Sequence, residues 1–161
     1  MATRHPERNF IGAERLLGRV RKTARKAHRA ELHEQDNLRV TRLDSAYLAG
    51  WLLPDDSIDR FHLLCPDPWP KKKHHKNRFV RNLDFHRGLG RKLRQGGLLL
   101  FKTDHEEYYE EGLEELDRLP FLARCDWPEE EFYAETDFER QWVGEGKTVQ
   151  KACWMRIPAE I

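Results

Sequence analysis

Apolar positions along this chain switch between two periods, and the switches mark its elements. Asn9 to Ala13 reads as a short strand with Glu14 at its end. Arg15 to Ala30 then sets Leu16, Leu17, Val20, Ala24 and Ala27 near helical spacing with Arg and Lys opposite, which predicts an amphipathic helix. Leu38 and Val40 alternate with polar neighbours in a strand from Asn37 to Leu43, and Asp44 follows as N-cap of a helix over Ala46 to Leu53. Pro54-Asp55-Asp56-Ser57 is a turn. Asp59 to Cys65 is a third strand, apolar enough at its end to be buried on both faces. Phe79, Val80, Leu83, Leu89 and Leu93 predict a helix that stops at Gln95-Gly96-Gly97. Leu98 to Thr103 is a fourth strand and Glu106 to Leu119 an acidic helix. Phe121 to Trp127 and Thr148 to Arg156 are expected to pair as antiparallel strands.

Strands alternating with helices predict an α/β fold around a parallel sheet with right-handed crossovers. Ligands of such sheets bind outside the carboxyl ends of the strands. Glu14, Asp44, Asp67 and Asp104 each fall at such an end. A chain of 161 residues suits one domain, spanning 1–161. Net charge is +1, so only the distribution of charge argues for a polyanionic partner. Basic residues crowd Arg15 to Arg29 and Lys71 to Arg94, and acidic ones crowd Asp104 to Asp117 and Glu129 to Glu139. Three widely spaced cysteines give no disulfide framework, and no apolar run reaches the ~18 residues of a membrane span. A reducing cytoplasm is the expected setting.

The most informative stretch is Phe61-His62-Leu63-Leu64-Cys65-Pro66-Asp67-Pro68-Trp69-Pro70-Lys71-Lys72-Lys73-His74-His75-Lys76. A buried strand runs into a loop whose three prolines fix φ and remove backbone donors, holding Asp67 and Trp69 extended. Trp69 either stacks on a base or plugs the gap behind the loop. The lysines that follow, with Arg78 and Arg81, suit phosphate contacts; the bland alternative is a solvated charge run. Cys65, His74 and His75 match no zinc spacing and lie beside lysines, so no metal is expected.

This stretch resembles the signature of the bacterial tRNA (guanine-N7)-methyltransferases. Asn9-Phe10-Ile11-Gly12-Ala13-Glu14, Lys102-Thr103-Asp104 and Thr136-Asp137-Phe138-Glu139 resemble further motifs of that family, in the same order. The resemblance implies a Rossmann-like S-adenosylmethionine-dependent methyltransferase sheet. Nothing before Asn9 supplies the family's first strand and glycine-rich turn, which would lie between the strands at Phe10 and Leu63. By resemblance, Asp67 is the catalytic residue, and Glu14, Asp44 and Asp67 hold the cofactor. Lys71, Asp104, Thr136, Asp137, Phe138 and Glu139 hold the substrate nucleotide, and Lys73, His74, His75, Lys76, Asn77 and Arg78 contact RNA. The implied partner is tRNA, met by a monomer or homodimer away from membranes, and the implied reaction methylates guanine N7 in the variable loop. A tRNA-binding remnant of the family that no longer binds the cofactor is the alternative.

Overall fold

Six strands are present among the described residues, and they form two sheets. In the computed structural model, which describes residues 1–30, 36–128 and 137–158, β1 (Phe10–Ala13) pairs parallel with β2 (Leu38–Thr41), Gly12 opposite Val40. The second sheet runs in the order β3 (Ile58–Leu64), β4 (Leu93–Thr103), β6 (Gln150–Arg156), β5 (Leu122–Cys125). Leu63 sits opposite Phe101 in the parallel β3–β4 pair. β6 lies antiparallel between β4 and β5, so the expected final pair is present and also completes the sheet beside β4. β1 and β3 are in different sheets.

Helix α1 (Leu17–Arg29) connects β1 to β2. Asp44 caps α2 (Ser45–Tyr47) as expected, its Oδ1 accepting from the Ala46 and Tyr47 amides at 3.0 and 3.1 Å, and a π turn over Leu48–Leu52 continues the helix. Asn82 caps α3 (Leu83–Lys92) by accepting from the Phe85 amide. His105 caps the acidic α4 (Glu106–Asp117), and α5 (Asp137–Gly144) precedes β6.

The core gathers on β4, where Leu99, Leu100 and Phe101 are fully buried, with Trp154 of β6 beside them. Each such side chain contributes about 1.5–3 kcal/mol of apolar burial. Trp154 Nε1 donates to Asp117 Oδ1 at 2.7 Å, which joins the sheet to the end of α4.

The expected helix stop at Gly96-Gly97 is corrected: α3 ends at Lys92 and the two glycines lie inside β4. β3 advances from Ile58 to Arg60 while β4 advances from Leu93 to Leu98, and Gly96 takes up that excess with φ of 74°. Glycine serves a helix stop and a strand bulge through the same freedom at positive φ.

α3 packs unusually close to the π turn. A Cβ placed on Gly88 would meet the Ala49 carbonyl oxygen at 2.6 Å, and one on Gly50 would meet that of Asp84 at 2.8 Å. Gly88→Ala is therefore expected to destabilise the chain by about 1–3 kcal/mol despite alanine's better helix propensity, read as a lower urea midpoint.

Candidate active site

β1 and β2 bring the first two carboxylates together. The Glu14 amide donates to the Thr41 carbonyl at 3.1 Å, extending the strand pair, and Glu14 Oε1 accepts from the Leu16 amide at 2.8 Å. Its Oε2 lies 3.6 Å from Arg19, and Asp44 Oδ2 lies 3.6 Å from Arg15. Each carboxylate thus spends one oxygen on local backbone and leaves the other in a long, partly exposed ion pair. Thr41 Oγ1 is buried at the same strand end without a hydrogen-bond partner.

At the end of β3 the chain turns sharply. Cys65 and Trp69 both hold left-handed backbone, with φ of 46° and 45°, conformations unusual for side chains of their size. Asp67, exposed between them, relieves part of that cost by accepting from the Trp69 amide through Oδ1 at 3.0 Å. The Cys65 amide donates to the Lys102 carbonyl at 2.8 Å, which ties this turn to the end of β4. Trp69 is partly buried, and its ring centre lies 5.8 Å from that of His74 in a tilted contact.

Asp104 and Glu139 meet at the same place. Glu139 is buried, and its Oε1 accepts from Lys102 Nζ at 2.7 Å, while Lys102 also lies 5.5 Å from the centre of the Trp127 ring. Burial first, then Asp104 and Glu139, push the Cys65 thiol up to about 11, with Lys102 pulling the other way. At pH 8 a thiol raised that far carries about a hundredfold less thiolate than an ordinary one. Iodoacetamide at pH 8 is therefore expected to label Cys65 about a hundredfold more slowly than an ordinary exposed thiol, the rate rising as pH approaches 11. Peptide mass spectrometry checks this, and fast labelling at pH 8 would mean that Cys65 is not buried at this strand end.

The basic tract is a 3-10 helical turn over Lys72–Asn77. Lys71, Lys72, Lys73, Lys76 and Asn77 are exposed, and His74 is partly so. His75 turns inward, its Nδ1 lying 3.6 Å from Glu107 of α4. Arg78 departs from the exposed tract. It is 1% exposed, bonded through NH1 to Glu111 and through Nε to the Pro68 carbonyl at 2.8 Å, so its guanidinium does not reach a phosphate at the surface. Asp137 and Phe138 open α5, and Thr136 lies outside the described residues.

Three features were invisible to sequence reasoning: Lys102 as partner of Glu139, Glu111 as partner of Arg78, and the orphaned Thr41 hydroxyl. A lysine directly after the apolar run Leu98–Phe101 was the one available signal, since a buried lysine demands a carboxylate.

A family model described as "Putative methyltransferase" matches residues 1–152. The chain belongs to this methyltransferase family. It is 34% identical over 149 residues to the tRNA (guanine-N(7)-)-methyltransferase of Thermotoga maritima, covering 91% of this chain and 46% of that protein. It is 35% identical to the protein of that name from Acinetobacter baylyi, covering 98% and 64%. The chain therefore spans about half to two thirds of the length of these relatives. Among solved structures, a methyltransferase homolog from Pyrococcus horikoshii superposes with a TM-score of 0.62 at 15% identity, covering 92% of this chain and 53% of that one. An S-adenosylmethionine-dependent O-methyltransferase from Thermotoga maritima gives 0.60 at 15% identity, covering 95% and 51%. These structures show the methyltransferase α/β fold. No helix among the described residues is long and apolar enough to cross a membrane.

Proposed function

We propose that this methyltransferase-family chain transfers a methyl group from S-adenosylmethionine to guanine N7 of tRNA, in the variable loop. The observation that carries this reading is Asp67: an exposed carboxylate held in a strained, proline-stiffened turn at a strand end, next to a surface of unburied lysines.

Guanine N7 already carries its lone pair, so no general base is needed and the protein's work is alignment. Asp67 Oδ1 is taken by the Trp69 amide, which leaves Oδ2 to accept from the donor edge of guanine and fix the ring. Asp104 and the Lys102–Glu139 pair stand at the adjoining strand end, where they would hold the rest of the nucleotide together with residues 136–138. Lys71, Lys73, Lys76 and Asn77 would take phosphates, which position an RNA without reading its sequence.

The nucleoside half of the cofactor fits the end of β1 and β2. Glu14 Oε2 and Asp44 Oδ2 are acceptors in loose pairs, and the buried Thr41 hydroxyl lacks a partner. A carboxylate at such a strand end accepts from ribose hydroxyls. When bound, S-adenosylmethionine supplies the electrophilic sulfonium methyl. The fit concerns that half alone: the described glycines with left-handed backbone, Gly96 and Gly146, are at the start of β4 and after α5.

The test is transfer of a labelled methyl group from S-adenosylmethionine to unmodified tRNA, followed by digestion and detection of 7-methylguanosine. Label in 7-methylguanosine supports the reading. Salt-dependent tRNA binding without transfer favours a non-catalytic RNA-binding remnant instead.

A further inference from the structure

The Cys65 amide anchors the start of the Asp67 turn on β4, and beyond that point the turn has few bonds to the rest of the protein. Pro66, Pro68 and Pro70 have no amide hydrogen to donate, and the Trp69 amide is spent inside the turn on Asp67. Among the described residues, one hydrogen bond ties residues 66–70 to the rest of the protein: Arg78 Nε to the Pro68 carbonyl, 2.8 Å.

Arg78 is in turn anchored from behind. Its NH1 bonds Glu111 on α4 and lies 3.5 Å from Glu107. Glu111 also receives Arg81, so a single buried carboxylate holds two guanidinium groups. The Arg78 guanidinium stands 5.3 Å from the centre of the Tyr108 ring, whose hydroxyl accepts from the Phe79 amide at 3.1 Å. Both neighbours therefore fix Arg78 against α4 rather than toward solvent. Its remaining nitrogen, NH2, is buried without a partner. A buried arginine left partly unsatisfied costs stability that an apolar residue of similar volume would not.

We propose that Arg78 is a positioning residue: through the Pro68 carbonyl it holds the Asp67 turn at a fixed height against α4, and it makes no contact with RNA. The inference rests on the proposed methyl transfer for its functional consequence, but the clamp itself does not. Arg78 donates Nε forward and NH1 backward from one rigid plane, whereas lysine supplies a single ammonium that cannot make both bonds in that geometry.

The experiment compares wild type, Arg78→Lys and Arg78→Gln in the full chain by three readings. These are kcat and KM for methyl transfer, the salt dependence of tRNA affinity, and amide exchange followed peptide by peptide. Arg78→Gln is expected to lower kcat about 10–100-fold, as losses of supporting contacts commonly do. Arg78→Lys should recover part of that loss. In both variants tRNA affinity and its salt slope stay within about twofold of wild type. The Trp69 amide exchanges faster by more than any change shared with β4 and α4.

A salt slope lower by about one with kcat retained would make Arg78 a phosphate ligand and overturn the proposal. Faster exchange spread evenly over β4 and α4 would make it a plain stability residue and overturn it equally. If wild type itself transfers no methyl group, the functional reading fails, and the exchange of the Trp69 amide still decides whether the clamp exists.

Discussion

Asp67→Ala is expected to lower methyl transfer at saturating tRNA at least about a hundredfold, with the urea midpoint and the tRNA affinity nearly unchanged. The side chain is exposed and its one hydrogen bond is local, so little folding energy depends on it. What it would supply, on the proposed reading, is orientation. Guanine presents a ring N–H and an amino group on one edge and the N7 lone pair on another, so a fixed acceptor on the first edge aims the second. Asp67→Asn sharpens the test. The amide oxygen keeps the Trp69 bond, but the amide nitrogen then meets a donor edge with donors, and transfer falls about as far as with alanine. Single-turnover transfer with tRNA in excess reads the effect on chemistry apart from binding. Near-wild-type rates in both variants would remove Asp67 from the reaction.

The ends of the strands were legible in the sequence because each apolar run is followed within three residues by a carboxylate, and the structure ends β1, β2, β3 and β4 just before those carboxylates. Burial explains that success. Leu63, Leu99, Leu100 and Phe101 must leave water, and only a strand of that length between turn residues does this. Gly96-Gly97 misleads because local chemistry does not tell a helix stop from a bulge; the register against Ile58 and Arg60 decides. Arg78 misleads for a different reason. It closes a run of cations, and a run looks solvated until one knows that α4, some thirty residues later, brings Glu111 underneath it. Pairings between distant elements leave no periodic trace. The Lys102–Glu139 pair is hidden in the same way, although each residue stands in a motif of its own.

Glu111→Ala is expected to be among the most destabilising single substitutions in the chain, at about 3–5 kcal/mol by urea unfolding. The reason lies in its partner. Arg78 is 1% exposed and already has one unpartnered nitrogen, so losing the carboxylate leaves a buried cation with only the more exposed Glu107 nearby. Glu111→Gln should cost less, because the amide oxygen still accepts one hydrogen bond while the charge is lost. The pair Arg78→Met with Glu111→Leu separates charge from packing. If the cost of Glu111→Ala comes from the stranded guanidinium, removing both charges should restore much of the stability, giving a coupling of a few kcal/mol in the double-mutant cycle. That same double variant keeps a packed α4 but has nothing to hold the Pro68 carbonyl, so it should fold well and transfer methyl groups poorly. Stability and activity would then part company in one protein. A double variant as unstable as Glu111→Ala would instead mean that the carboxylate matters for its contact with Arg81, and the weight of the cluster would move from the Asp67 turn to the start of α3.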